Sequence, residues 1–385
     1  MDRVKNKYPQ ETELNKDFIA QNLGLVADEE RQDFLRLSPS THYEKPQVTS
    51  ERKPLEKPED IFQYFDGVKS IEPDAVCRPK GDTTFFTSAG VQHIETVLRT
   101  GSDLKREAFV VSQPVIRSQF MDKIKEGTSS SFINFSVESV DAKPDDFIKL
   151  SNQFIKLITS LGVSASSLRF QVENVPDRWG SRKFTKTQFT IYAGGIELGE
   201  CVYIHDYPVT EDKKISIVDI GFGIERLNWA INATKHYFTE FDELYDQADA
   251  DKIASIIDPI RTMVLIAGEG TKPSSHDHGY RLRQLSKRFV QRSIGTNTNV
   301  AELVDTSYEF WKKWGYKPTV SKEEVLKVVS LENDRNYNGL FLETLGREGT
   351  TEIYVDINQP TQDFLKQVGF SLPKDKIDEI VKKIA

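Results

Sequence analysis

Through the middle of this chain, short stretches of apolar and polar residues alternate in the way that half-buried strands require. The stretches are 83–86, 109–112, 132–137, 168–172, 189–192, 200–204 and 215–220. One segment changes period. Phe147, Leu150, Phe154, Leu157, Ile158 and Leu161 recur at helical spacing and predict a helix over 145–161. The Gly194-Gly195 pair predicts a hairpin turn between 189–192 and 200–204. Many strands with few intervening helices predict an antiparallel sheet, so the fold class is α+β rather than doubly wound.

After Arg226 the pattern turns helical. Ile253, Ile256, Ile257, Ile260, Met263, Val264 and Ala267 mark one helix, with a kink expected at Pro259. Two more are predicted over 280–293 and 375–384. Ahead of the strands, residues 1–58 are polar, and Pro39, Pro46, Pro54 and Pro58 punctuate their second half. Helices are expected near 18–25 and 29–37, and 38–58 reads as a linker or a loosely packed extension. Ile61, Phe62 and Phe65 after Pro58-Glu59-Asp60 predict an amphipathic helix. The resulting division is an extension over 1–58, a sheet domain over 59–245 and a helical domain over 246–385.

Charge changes this picture in one place. The 385 residues carry a net charge of −8, which argues against general nucleic-acid binding unless a local basic patch exists. Residues 279–292 supply one. On a helix, Arg281, Arg288 and Arg292 share a face, Arg283 and Lys287 flank it, and no acidic residue intervenes. That reversal points to phosphate contact, with a solvated helix face as the alternative. Cys77 and Cys201 stand far apart and read as reduced thiols, which fits the cytoplasm. No apolar run approaches the roughly 20 residues of a membrane span, and the first residues have no apolar core of a signal peptide. His276-Asp277-His278 offers ligands from one short loop with no cysteine nearby, so no structural zinc is expected.

The candidate chemistry lies in the stretch Ile217-Val218-Asp219-Ile220-Gly221-Phe222-Gly223-Ile224-Glu225-Arg226. Asp219 on an apolar strand asks for a cationic partner such as a substrate ammonium. Gly221 and Gly223 permit close approach of a flat or phosphorylated ligand, and Arg226 gives a fixed charge for phosphate. A packed strand-to-helix corner with an internal ion pair is the competing reading. Upstream, the run from Val110 to Ile116 delivers Arg117 at the edge of a predicted hairpin, a placement suited to an α-phosphate. Residues 82–92 end in small side chains, and Trp179 could wall an apolar pocket or fill a core.

These segments, in this order, resemble the alanyl-tRNA synthetases, a class II aminoacyl-tRNA synthetase family. Val111-Ser112-Gln113-Pro114 through Arg117 looks like the archaeal-type motif 2, Asp219 through Arg226 like motif 3, and residues 82–92 like the strand before motif 2. Asp258-Pro259-Ile260-Arg261-Thr262 and Gly279-Tyr280-Arg281-Leu282-Arg283 look like the helical tRNA-recognition domain. The resemblance implies a class II sheet domain followed by helices, with ATP and Mg²⁺ as cofactors. It implies formation of an aminoacyl-adenylate from alanine or a small analogue, then transfer to tRNA. Arg117 would hold the α-phosphate, and Gly221, Gly223, Glu225 and Arg226 the rest of ATP. Asp219 would bind the amino-acid ammonium, and Trp179 would line its pocket. Arg281, Arg283, Lys287, Arg288 and Arg292 would face tRNA.

Some positions depart from the family. Ile133-Asn134 stands where Phe-Glu is usual, Thr128-Ser129 where Arg-His is usual, and 183–188 replaces an Asn-Ala-Gly-Pro-type stretch. The chain stops before the family's editing and C-terminal domains, which suggests a shortened paralogue. A site for a small side chain discriminates poorly without editing. Two other outcomes therefore stand beside tRNA charging: transfer to a small molecule or carrier protein, and a non-catalytic tRNA-binding role.

Overall fold

The computed structural model describes residues 14–38, 55–100, 105–125, 127–232, 236–294 and 296–347. They form two compact units. The first gathers the described residues within Met1–Asp74, Ser88–Val115 and Ile133–Lys235, and the second those within Ala75–Thr87, Ile116–Phe132 and His236–Ala385. In chain order the strands are β1 (Leu25–Ala27), β2 (Leu35–Leu37), β3 (Lys69–Ser70), β4 (Ala108–Ile116), β5 (Ser131–Val140), β6 (Leu168–Trp179), β7 (Arg182–Ala193), β8 (Ile196–Pro208) and β9 (Lys214–Gly223). The helices are α1 (Lys16–Leu23), α2 (Glu59–Phe62), α3 (Glu95–Thr100), α4 (Pro144–Ser160), α5 (Ile224–Asn232), α6 (Ala250–Gly268), α7 (Asp277–Ser293), α8 (Val300–Lys313) and α9 (Lys322–Arg347).

The strands make one sheet in the order β1-β2-β6-β7-β8-β9-β5-β4-β3, and the class is α+β. The pairs from β1 to β2, β6, β7, β8, β9 and on to β5 are antiparallel, and β3 lies parallel to β4. Alternation along β9 builds the first unit. Val218, Ile220 and Phe222 are buried on one face, while Asp219, Gly221 and Gly223 share the other. The apolar face is covered by α4, whose Phe147, Leu150, Phe154, Leu157 and Ile158 are buried. Phe154 stacks on Phe222 at 4.4 Å, and Phe222 stacks on Phe135 of β5 at 5.1 Å. Pro144 opens α4 at its first turn, where its missing N–H costs nothing, and Asp145 and Asp146 favour the positive end of the helix dipole.

The strands outrun their sequence signals. β6 and β7 pair from Leu168↔Ala193 to Trp179↔Arg182, well beyond the apolar cores of each. The Gly194-Gly195 turn forms as expected, with φ of +57° and +88° that side chains rarely adopt. Two expectations fail. The helix expected near 29–37 is a turn followed by β2, which pairs with β1 and places Leu35 opposite Phe170. The Asp28 carboxylate decides it, accepting the Glu30 N–H at 3.0 Å and pairing with Arg169 of β6. The strand expected over 83–86 is a turn region that keeps a single bridge, Cys77↔Phe86. There the Thr84 hydroxyl bonds the Phe86 carbonyl at 2.7 Å, a local bond that competes with a sheet ladder. The helix predicted over 375–384 lies outside the described residues.

In the second unit α6 is buried on every side from Ile253 to Gly268, and it continues as a helix through Pro259. Among the described residues no helix is long and apolar enough to cross a membrane.

Candidate functional site

The polar face of the sheet in the first unit is assembled by register. Asn134, Ser136 and Glu138 on β5 stand directly opposite Gly223, Gly221 and Asp219 on β9. The glycines leave the floor low, and the turn after Ser88 closes over it. That turn is tied by the Gln92 side chain, whose Oε1 accepts the N–H groups of Ser88 and Ala89 at 2.6 and 3.2 Å. Gly90 then donates its N–H to Asn134 Oδ1 at 2.9 Å. A Cβ on Gly90 would lie 2.3 Å from Ser136 Oγ and 3.1 Å from Glu138 Oε1, so only glycine fits. Gly90→Ala is expected to destabilise the chain by about 1–3 kcal/mol through overpacking. An unchanged denaturant midpoint would show that Ser136 yields freely.

Glu138 is 0 % exposed, and neither carboxyl oxygen has a hydrogen-bond partner among the described residues. Burial, then the charges of Asp219 and Asp74, push its carboxyl well above the usual range. Asp74 is itself held through its backbone: Gln113 Oε1 accepts the Asp74 N–H at 2.8 Å and Gln113 Nε2 donates to its carbonyl at 3.0 Å. The Asp74 carboxylate meets His93 Nδ1 at 3.1 Å, and that bond raises the His93 pKa. The face thus gathers Asp219, Glu138, Asp74 and His93. Of these only Asp219 stands out in the sequence. Glu138 could have been found from the polar alternation Asn134, Ser136, Glu138 within an apolar strand.

The other residues predicted for this unit take separate places. Trp179 is half-buried at the end of β6, edge-on to Tyr207 at 5.9 Å, against the apolar cluster that includes Val91, Ile94 and Ile217. Gly221 faces the Asn134 side chain, whose Nδ2 would be 3.3 Å from an added Cβ. Glu225 is 3 % exposed, and its carboxylate accepts the Ile133 N–H at 3.1 Å, fixing the start of α5 to β5. Arg226 donates to Glu197 Oε1 at 3.2 Å and to the Glu197 carbonyl at 3.3 Å.

The second unit holds the remaining candidates. Arg117 follows β4, donates its N–H to the Ser130 carbonyl at 2.7 Å, and carries its guanidinium 4.9 Å above the Phe132 ring. The basic segment is helix α7. Arg281 bonds Gln284 at 2.7 Å, Arg283 pairs with Glu332 at 3.6 Å, and Arg288 pairs with Asp122. Lys287 is exposed, and Arg292 is half-buried. The patch that lacks acids in sequence therefore meets acids in space. His278 Nε2 lies 2.8 Å from the Phe85 carbonyl, and no group of three or more His, Cys, Asp or Glu among the described residues could hold a metal ion.

No protein-family model matches the chain. An alanine--tRNA ligase from Sulfurisphaera tokodaii is 23% identical over 84% of this chain and 43% of its own length. One from Saccharolobus islandicus is 22% identical over 92% of this chain and 49% of its own. A pyrrolysyl tRNA synthetase structure from Desulfitobacterium hafniense superposes on 62% of this chain with a TM-score of 0.36 at 14% identity. The chain spans about half the length of the curated relatives it matches. Over most of its own length it is similar to the alanine--tRNA ligases of archaea.

Proposed function

We propose that the chain activates an amino acid with ATP to an aminoacyl-adenylate and passes the aminoacyl group to tRNA. The observation that carries this reading is the Asp219–Glu138 pair across β9 and β5. Burial shifts Glu138 towards its neutral form, and Asp219, half-buried, is the member more open to a substrate ammonium. In activation, a carboxylate oxygen of the amino acid attacks the α-phosphorus of ATP, a new oxygen–phosphorus bond forms, and pyrophosphate leaves. The chemistry needs position and charge more than proton transfer. Asp219 orients the ammonium. Arg117 and Arg226 are the arginines that the resemblance assigns to phosphate, and Arg226 would exchange Glu197 for it. Mg²⁺ would neutralise the triphosphate, and the roles of Asp219, Arg117 and Arg226 require no protein site for it. Similarity to alanine--tRNA ligases supports alanine or a small analogue as the substrate.

A second reading has its own observation. Arg283 and Arg288 are already paired with Glu332 and Asp122, which favours an acceptor other than tRNA, either a small molecule or a carrier protein. The test is ATP–pyrophosphate exchange against a panel of amino acids, followed by aminoacylation of total tRNA. Exchange with charging supports the first reading, and exchange without charging the second. No exchange with any amino acid would leave only a non-catalytic role.

If α7 meets tRNA, replacing Arg288 and Arg292 together by alanine should weaken tRNA binding and reduce its salt dependence by roughly two phosphate contacts. Exchange without tRNA should persist. Unchanged charging by that double variant would remove α7 from the tRNA surface.

A further inference from the structure

Asp258 lies mid-way along α6 and is 1 % exposed, between Ile257 and Ile260 that are fully buried. A carboxylate there is costly unless donors are supplied to its oxygens. They come from the segment that follows Arg117. Ser130 gives its N–H to Oδ1 at 2.7 Å and its hydroxyl to Oδ2 at 2.5 Å. The Ser131 N–H points to Oδ1 from 3.5 Å. One turn along α6, Thr262 Oγ1 lies 3.0 Å from Ser130 Oγ and 2.8 Å from Ser131 Oγ. Burial pushes the Asp258 carboxyl up to about 6, against the pull of the serine donors and of Arg261. Arg261 is otherwise committed to Glu240 and to the rings of Phe238, Phe310 and Trp311.

Ser130 is therefore held twice. Two donors on one residue, taken by two oxygens of one carboxylate, fix both the position and the rotation of its peptide. Its carbonyl then accepts the Arg117 N–H at 2.7 Å. A buried helix carboxylate is thus linked through a single residue to the backbone of the arginine. We propose that Asp258 is a positioning residue for Arg117, setting through Ser130 where the guanidinium meets phosphate. The proposal rests on the reading of Arg117 as a phosphate ligand.

The test compares Asp258→Asn, which keeps the shape and one acceptor, with Ser130→Ala, which keeps the backbone donor and loses the hydroxyl. Asp258→Asn is expected to lower the kcat of pyrophosphate exchange by about tenfold to a hundredfold, the scale of a misplaced catalytic group. The amino-acid KM should stay at the wild-type value. In an Arg117→Ala background the same change should cause no further loss, because the two act as a unit. Amide hydrogen exchange in 117–131 should rise. Wild-type exchange kinetics in Asp258→Asn, or a loss that multiplies with that of Arg117→Ala, would overturn the proposal. If Asp258→Asn does not fold, Ser130→Ala carries the same comparisons with a smaller loss. A wild-type chain that exchanges pyrophosphate with no amino acid refutes the functional reading separately. Amide protection of 117–131 then decides the positioning claim: a loss in Asp258→Asn supports it, and unchanged protection overturns it.

Discussion

Arg117→Ala is expected to lower ATP–pyrophosphate exchange by about 10²–10³-fold, the range seen when one preorganised donor to a developing charge is removed. During adenylation, negative charge gathers on the oxygens around the α-phosphorus, and a guanidinium fixed in advance stabilises it without reorganising. The structure fixes this one in two ways. Its backbone N–H is bonded to Ser130, and its guanidinium rests over Phe132. Arg117→Lys keeps a charge and loses the fork, so it should recover only part of the activity. Both variants should keep the wild-type melting profile, because Arg117 is half-buried rather than sealed in the core. An alanine variant with exchange near the wild-type rate would remove Arg117 from phosphate binding and leave its ring contact as a purely structural one.

The sheet and α4 are legible in the sequence because their periods are local. Phe147 to Leu161 states a helix, and alternation through Ile215 to Ile220 states a strand, whatever else the chain does. Asp219 is legible for the same reason, as a charge that breaks an apolar alternation. What the sequence leaves hidden depends on partners distant along the chain. Glu138 reads as an ordinary polar position until register sets it against Asp219 and Gly90 closes over it. Arg288 belongs to an all-basic segment in sequence, yet its partner Asp122 is 166 residues away. The span 29–37 has apolar positions that suit a helix as well as a strand, and a contact with Arg169 tips it to the strand. Glu225, beside Arg226 in the motif, turns inward to the Ile133 backbone, because the first turn of α5 sets the two side chains on different faces.

The pair formed by Asp219 and Glu138 predicts opposite outcomes for two substitutions that look alike. Asp219→Asn should raise the amino-acid KM by about 10–100-fold, the worth of a hydrogen bond to a charged group at roughly 1.5–3 kcal/mol. Its effect on stability should be small, since Asp219 is only half-buried. Glu138→Gln should leave the KM near the wild-type value, because burial shifts Glu138 towards the neutral acid that glutamine mimics. Its effect appears in stability. The folded-state pKa of Glu138 is raised above its ordinary 4.5, so between those two values the native chain binds more protons than the unfolded one. Wild-type stability therefore falls as pH rises above 4.5, and the loss continues until the raised pKa is passed. Glu138→Gln lacks this loss. Its denaturant midpoint should exceed that of the wild type at neutral pH, and the difference should shrink as the pH is lowered towards 4.5. A variant less stable than the wild type at neutral pH would mean that Glu138 is ionised and held by a cation. A raised KM in Glu138→Gln would place its carboxylate, and not that of Asp219 alone, on the substrate ammonium.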